Sequence, residues 1–113
     1  MRRDDAWLLD MVIAARKAIA FTSGMSPEGF LEDEAKLHAV IRMVQIIGEA
    51  ASRVSEDTQK SVSGVPWPQI IALRHRLVHD YLNVNPVRIW EIVQTDLPKL
   101  IAALGPYVPP EEK

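Results

Sequence analysis

The stretch Pro66–Leu82, PWPQIIALRHRLVHDYL, places an arginine, two histidines and a tyrosine within eight residues: Arg74, His75, His79 and Tyr81. Arg74 supplies a fixed cation, His79 an imidazole and Tyr81 a phenol. That set suits phosphodiester chemistry, where a guanidinium stabilises phosphate charge and an imidazole moves protons. RNA carries its own nucleophile, the 2′-hydroxyl, so such chemistry does not strictly need a metal. His75 and His79, four residues apart, could begin a zinc site. The third ligand and the glutamate of the metalloprotease motif are missing from this helix, so no metal is expected. Nucleophilic catalysis through Ser or Thr has no supporting constellation. No glycine-rich phosphate loop precedes any helix.

The element that carries these residues is expected to be a helix. Ile70, Ile71, Leu73, Leu77, Val78 and Leu82 recur at three- and four-residue steps and fall on one arc at about 100° per residue. Arg74 sits near the middle of that arc, and Tyr81 projects two turns above it. A buried guanidinium costs several kcal/mol without a partner, so this helix is expected to line a cleft. His75 and His79 lie at the arc's edge. Arg74 and His79, five residues apart, diverge by roughly 140° on an ideal helix. A site using both would therefore be completed across a symmetric dimer. In a purely structural reading Arg74 is a paired core arginine, His79 a surface residue and Tyr81 packing.

The remaining helices follow in order. Asp4 or Asp5 can cap a first helix to about Phe21, with Trp7, Leu8, Met11, Val12, Ala15 and Ile19 apolar, and Thr22-Ser23-Gly24 breaks it. Ser26-Pro27-Glu28 reads as a cap followed by proline at the first position of a short helix. A second long helix covers about Leu31–Val54, with Leu37, Val40, Ile41, Val44, Ile47, Gly48 and Ala51 in one stripe. Gly48 weakens helix propensity and so marks a close helix contact. Opposite runs a polar line of His38, Arg42, Gln45 and Glu49. It is either a solvated face with i,i+4 pairing or a seam at a subunit or partner interface. Ser55–Gly64 is a polar, turn-rich link. Asn85-Pro86 opens a last helix to about Leu104, which Pro98 should bend and Gly105-Pro106 should stop. The expected architecture is all-α: an antiparallel four-helix bundle with one short additional helix, the domain covering residues 1–105 and a flexible tail 106–113.

Composition narrows the class. At 113 residues the chain is one domain with one core. Hydrophobic residues make up 48% and charged residues 25%, and there is no cysteine for disulfides, cysteine–zinc sites or thiol nucleophiles. Asp10, Arg16 and Lys17 interrupt the first apolar stretch, and no run approaches the roughly 20 residues of a membrane span. A cytoplasmic chain with no membrane association is expected. The net charge of -2 means that any RNA contact must come from a local patch.

Several stretches together resemble the HEPN-domain toxins, and the chain looks like a HepT-like member. Arg74-(x4)-His79-x-Tyr81 matches the R-x4-H-x-Y motif. Further likeness lies in IIGEAA at Ile46–Ala51, PW at Pro66–Trp67, RHRLVHDY at Arg74–Tyr81, RIWEIVQTDLP at Arg88–Pro98 and GMSPEGFLED at Gly24–Asp33. The resemblance covers nearly the whole chain. It implies a helical bundle that forms a homodimer or larger assembly, its motif helices facing each other across a cleft. It also implies a metal-independent endoribonuclease without a cofactor, the toxin of a type VII-like toxin–antitoxin pair. The implied antitoxin is a minimal (MNT-type) nucleotidyltransferase that transfers AMP from ATP to Tyr81, blocking the cleft sterically and with negative charge. Carried over residue by residue, Arg74 and His79 are catalytic and Tyr81 is the modification target. His75 departs from the family's usual polar residue such as Asn, and is expected to assist. The alternative is a non-catalytic helical dimer that binds a nucleotide or the nucleotidyltransferase.

Overall fold

A computed structural model describes residues 3–80 and 83–109 of the chain. Its described elements are helical: α1 (Asp4–Thr22), α2 (Pro27–Glu32), α3 (Glu34–Arg53), α4 (Glu56–Ser61), α5 (Trp67–His79), α6 (Pro86–Glu91), a π-helical stretch (Ile92–Asp96), α7 (Leu97–Leu104) and a 3₁₀ turn (Gly105–Tyr107). Counting α6 through α7 as one rod, four long elements form the expected bundle. The short helices number two, because α4 occupies part of the segment expected to be a polar link. Its N-cap is Ser55, whose hydroxyl accepts from the Thr58 N–H at 3.3 Å. None of its residues is buried, so no apolar period betrays it.

The core forms where α1 and α3 face each other. Leu8, Met11, Val12, Ala15 and Ala18 of α1 meet Val40, Ile41, Val44, Ile47 and Ala51 of α3, all nearly inaccessible to water. α7 closes the other side of α1 with Leu97, Leu100 and Leu104. Burying a side chain of this size stabilises by about 1.5–3 kcal/mol, which sets the register of the bundle.

Several element ends differ from the sequence expectation. Neither Asp4 nor Asp5 caps α1; the N-cap is Arg3, without a side-chain bond. The Asp4 carboxylate instead accepts from the Ser55 hydroxyl at 2.5 Å, the Thr58 hydroxyl at 2.6 Å and the Ser55 N–H at 3.2 Å. These bonds tie the start of α1 to the start of α4. They hold the Asp4 carboxyl below its usual range, the Ser55 hydroxyl contributing most. The long helix expected from Leu31 divides at Asp33, whose side chain accepts from the Lys36 N–H at 3.0 Å and so starts α3. Thr22 and Gly24 do end α1: the Thr22 hydroxyl donates back to the Ile19 carbonyl at 3.1 Å, and Gly24 takes a φ of 80°.

Around Pro98 the structure shows a change of hydrogen-bond register. Proline lacks an N–H and its ring crowds the carbonyl four residues back. The turn before it widens into the π stretch, in which the Leu97 N–H reaches the Ile92 carbonyl five residues away. After Leu104 the 3₁₀ turn follows, and Val108 packs on the core; residues 110–113 of the expected tail lie outside the described residues.

Candidate active site

α5 is held to the bundle mainly through α3, and the two touch at a point that involves a motif residue. A Cβ on Gly48 would clash with the Cβ of Arg74 and lie 2.9 Å from its Cγ and 3.1 Å from the Ile70 carbonyl. Only glycine lets α5 approach this closely. Arg74 is thus half-buried, with the root of its side chain clamped against α3. Among the described residues it makes no hydrogen bond and no ion pair. Its guanidinium has no counter-ion among the described residues, so Arg74 is not the paired core arginine of the purely structural reading.

One turn further along, Gln45 makes the second contact. Its Nε2 donates to the Leu77 carbonyl at 3.1 Å. Leu77 lies in the last turn of α5, where carbonyls have lost their helical donors, so this bond supports the C-terminal end of the helix. The polar line on α3 therefore divides. Gln45 serves the chain's own motif helix. His38 is exposed, with Nε2 3.7 Å from Glu34 one turn back, Arg42 is exposed, and Glu49 is half-buried.

α5 ends at His79 with Asp80 as C-cap; Leu82, where the apolar pattern was expected to end, lies outside the described residues. The Asp80 N–H bonds the Arg76 carbonyl at 2.8 Å, and the Asn83 amide donates to the Asp80 carboxylate at 2.7 Å. His75 and His79 are both exposed, with ring centroids 4.3 Å apart and planes tilted by 47°. The two rings form one continuous imidazole surface over the last turn. Val78 beside them is 43% exposed. Arg74 and His79 do not meet within one chain, since one lies against α3 and the other on the open face. Tyr81 lies outside the described residues. Among the described residues no three His, Asp or Glu side chains gather in a way that could hold a metal ion. No described helix is long and apolar enough to cross a membrane.

The other flank of α5 carries a feature that sequence reasoning missed. A groove of about 650 Å³ separates α5 from the α6–α7 rod. Its floor includes Val44, Ile47, Leu73, Leu77, Ile89 and Ile92, and Arg76, Arg88 and Lys99 stand among its walls. Arg74, His75 and His79 do not line it. Arg76, two residues after Arg74, was the available signal: on a helix that spacing points to the opposite flank.

The sequence matches the profile of the family described as "Ribonuclease HepT-like" over residues 11–105, which takes in Gln45, Gly48 and the whole of α5. A Methanocaldococcus jannaschii protein named "Putative RNase" is 34% identical over 84% of this chain and 87% of its own length. A second from the same organism, with the same description, is 37% identical over 82% of this chain and 77% of its own. The Thermococcus cleftensis protein named "Probable ribonuclease HepT" is 33% identical over 83% and 86%. No solved structure matches the chain. An all-helical bundle, the intact R-x4-H-x-Y motif and relatives matched along most of their length place this chain in the HepT-like ribonuclease family.

Proposed function

We propose that this chain is a metal-independent endoribonuclease, the toxin of a toxin–antitoxin pair, which cuts RNA in a cleft composed from two copies. The observation that carries the proposal is Arg74: a guanidinium clamped at its root against Gly48, with no counter-ion among the described residues. With its root held and its guanidinium unpaired, the side chain is placed to receive an anion, and the scissile phosphate is such an anion. His79 on the open face of the same helix takes the proton of the 2′-hydroxyl. O2′ then attacks phosphorus, the bond to the 5′-oxygen breaks, and an imidazolium returns a proton to that oxygen. The products are a 2′,3′-cyclic phosphate and a free 5′-hydroxyl, with no water or metal required in the step. Because Arg74 and His79 diverge on one helix, each phosphate meets the arginine of one copy and the histidine of the other. His75, whose tilted ring lies against that of His79, assists by holding it.

Neutralisation falls to a cognate MNT-type nucleotidyltransferase that adenylylates Tyr81, bringing bulk and negative charge to the motif that binds phosphate. His38, Arg42 and Glu49, which α5 leaves uncovered, contribute to the dimer or antitoxin interface. The protein works in the cytoplasm.

The test is cleavage of a tRNA pool without divalent metal, beside His79→Ala, after the intact mass has excluded a Tyr81 adduct. Cutting by the wild type alone, with dimerisation unchanged in the variant, is the expected result. An unmodified wild type that cuts nothing would leave a non-catalytic dimer that binds a nucleotide or its partner.

A further inference from the structure

We infer that the groove between α5 and the α6–α7 rod is a subsite for single-stranded RNA, holding a nucleotide that flanks the cleaved bond. The inference rests on the ribonuclease reading above and adds a surface that the R-x4-H-x-Y motif does not include. Two anionic groups line the groove, and both are engaged. The Asp96 carboxylate meets Arg88 at 3.3 Å, and the Asp80 carboxylate accepts from Asn83 at 2.7 Å. Two cations there are not engaged. Arg76 on the α5 wall and Lys99 on the α7 wall make no ion pair or hydrogen bond among the described residues. Among the described residues lining the groove, three cations (Arg76, Arg88 and Lys99) stand against two carboxylates (Asp80 and Asp96), a formal excess of one positive charge in a chain whose formal net charge is -2. Arg88 is shared between Asp96 and Glu91 at the rim.

The rest of the groove suits a flat body rather than a second ion. Its floor is aliphatic, and about 650 Å³ falls within the range of roughly 300–1,000 Å³ typical of small-ligand sites. Gln69 adds an exposed side-chain amide with no hydrogen-bond partner among the described residues, a group suited to a base edge. An unstacked nucleotide offers the matching parts: a phosphate for Arg76 and Lys99, and a base face for Leu73, Leu77 and Ile92. The groove is also continuous with the catalytic face. Arg76 lies three residues before His79, one turn below it on the helix surface, and Asp80 belongs to both the groove and the end of α5. A strand crossing the open ridge of α5 passes from His79 over Arg76 into the groove.

The test uses the full chain carrying His79→Ala, so that RNA is bound but not cut, and a short fluorescein-labelled single-stranded RNA followed by anisotropy across a salt series. Arg76→Ala with Lys99→Ala should weaken binding roughly tenfold and lower the salt slope by about 1.4, two phosphate contacts at about 0.7 each. Arg76→Glu with Lys99→Glu should weaken it further, while Arg76→Lys should restore most of the affinity. In the background with His79 intact, the double alanine variant should raise KM with kcat little changed. Unchanged affinity and slope in both double variants, while the wild type still cuts RNA, would overturn the subsite and leave the cleavage reading intact. RNA binding that persists while the charge reversal abolishes capture of a protein partner would overturn it as well, assigning the groove to protein. A wild type that neither binds nor cuts RNA removes both readings.

Discussion

Gly48→Ala tests the clamp on Arg74, because two effects of the same methyl group have opposite signs. Helix propensity alone favours alanine over glycine by about 1 kcal/mol in a helix interior. The structure predicts the reverse. The new Cβ would clash with the Cβ of Arg74 and lie 3.1 Å from the Ile70 carbonyl. The Arg74 Cβ is fixed to the main chain and the Ile70 oxygen belongs to it, so neither can rotate aside, and α5 as a whole must move off α3. Overpacking of this kind costs typically 1–3 kcal/mol, and the absence of a flexible neighbour places this case near 3. The net expectation is a loss of about 2 kcal/mol, a drop of several degrees in Tm for a chain of this size. Gly105→Ala is the control: no atom lies within 4 Å of the added Cβ and the backbone is already helical, so it should be neutral or slightly stabilising. Urea unfolding followed by circular dichroism gives the stabilities, and RNA cleavage under conditions where both variants are folded gives the second readout. Cleavage should fall at least tenfold in Gly48→Ala and stay unchanged in Gly105→Ala. A Gly48→Ala protein as stable as the wild type, with full activity, would refute the clamp and the role given to Arg74.

Further predictions follow from the neighbouring contacts. Gln45→Ala should cost about 1 kcal/mol by leaving the Leu77 carbonyl without its donor, and Gln45→Glu should be no better, since a carboxylate cannot donate; faster hydrogen exchange of the Asp80 N–H, which bonds Arg76 at 2.8 Å, is the local readout. Asp4→Asn should destabilise at neutral pH by about 1 kcal/mol. The folded-state shift of Asp4 is downward, so its contribution is present above the unfolded pKa and is lost as pH falls through the folded one. The gap between wild type and Asp4→Asn should therefore close below about pH 4, and a gap independent of pH would exclude the carboxylate as its source. Charge reversal at Arg42 and Glu49 should weaken assembly or antitoxin capture without changing monomer stability, as sedimentation and pull-down would report.

What could be read in the sequence was whatever depends on local period and local caps. The apolar stripes of α1 and α3, Ser26 with Pro27, and Asn85 with Pro86 each announce themselves within a few residues, and the structure has them where the pattern puts them. The misplaced ends share a different cause. Local pattern makes Asp4 a cap, because its true partners, Ser55 and Thr58, lie more than fifty residues away in sequence. Glu32-Asp33-Glu34 has helical composition, and it is the bond to Lys36 that makes Asp33 a start. α4 looks like a link in the sequence because it buries nothing. Gly48 could be recognised as a close approach, but its partner could not, since a helix pattern gives the face of a residue and not which residue stands across from it.

The same limit explains why the motif was legible and the groove was not. R-x4-H-x-Y is a spacing along one helix. The groove exists because α5 is drawn toward α3 by a glycine and a glutamine of that neighbour, which leaves its other flank apart from the α6–α7 rod. Filling that gap with apolar side chains would be the direct way to stabilise a bundle, because each unfilled methyl-sized space costs on the order of 1 kcal/mol. The chain instead keeps aliphatic side chains on the floor and sets Arg76 and Lys99 among the walls without counter-ions. A fold that leaves this much apolar surface open, with Arg76 on one wall and Lys99 on the other, keeps one flank of the motif helix free of packing. That is the expected mark of a site whose missing contacts are supplied by a ligand.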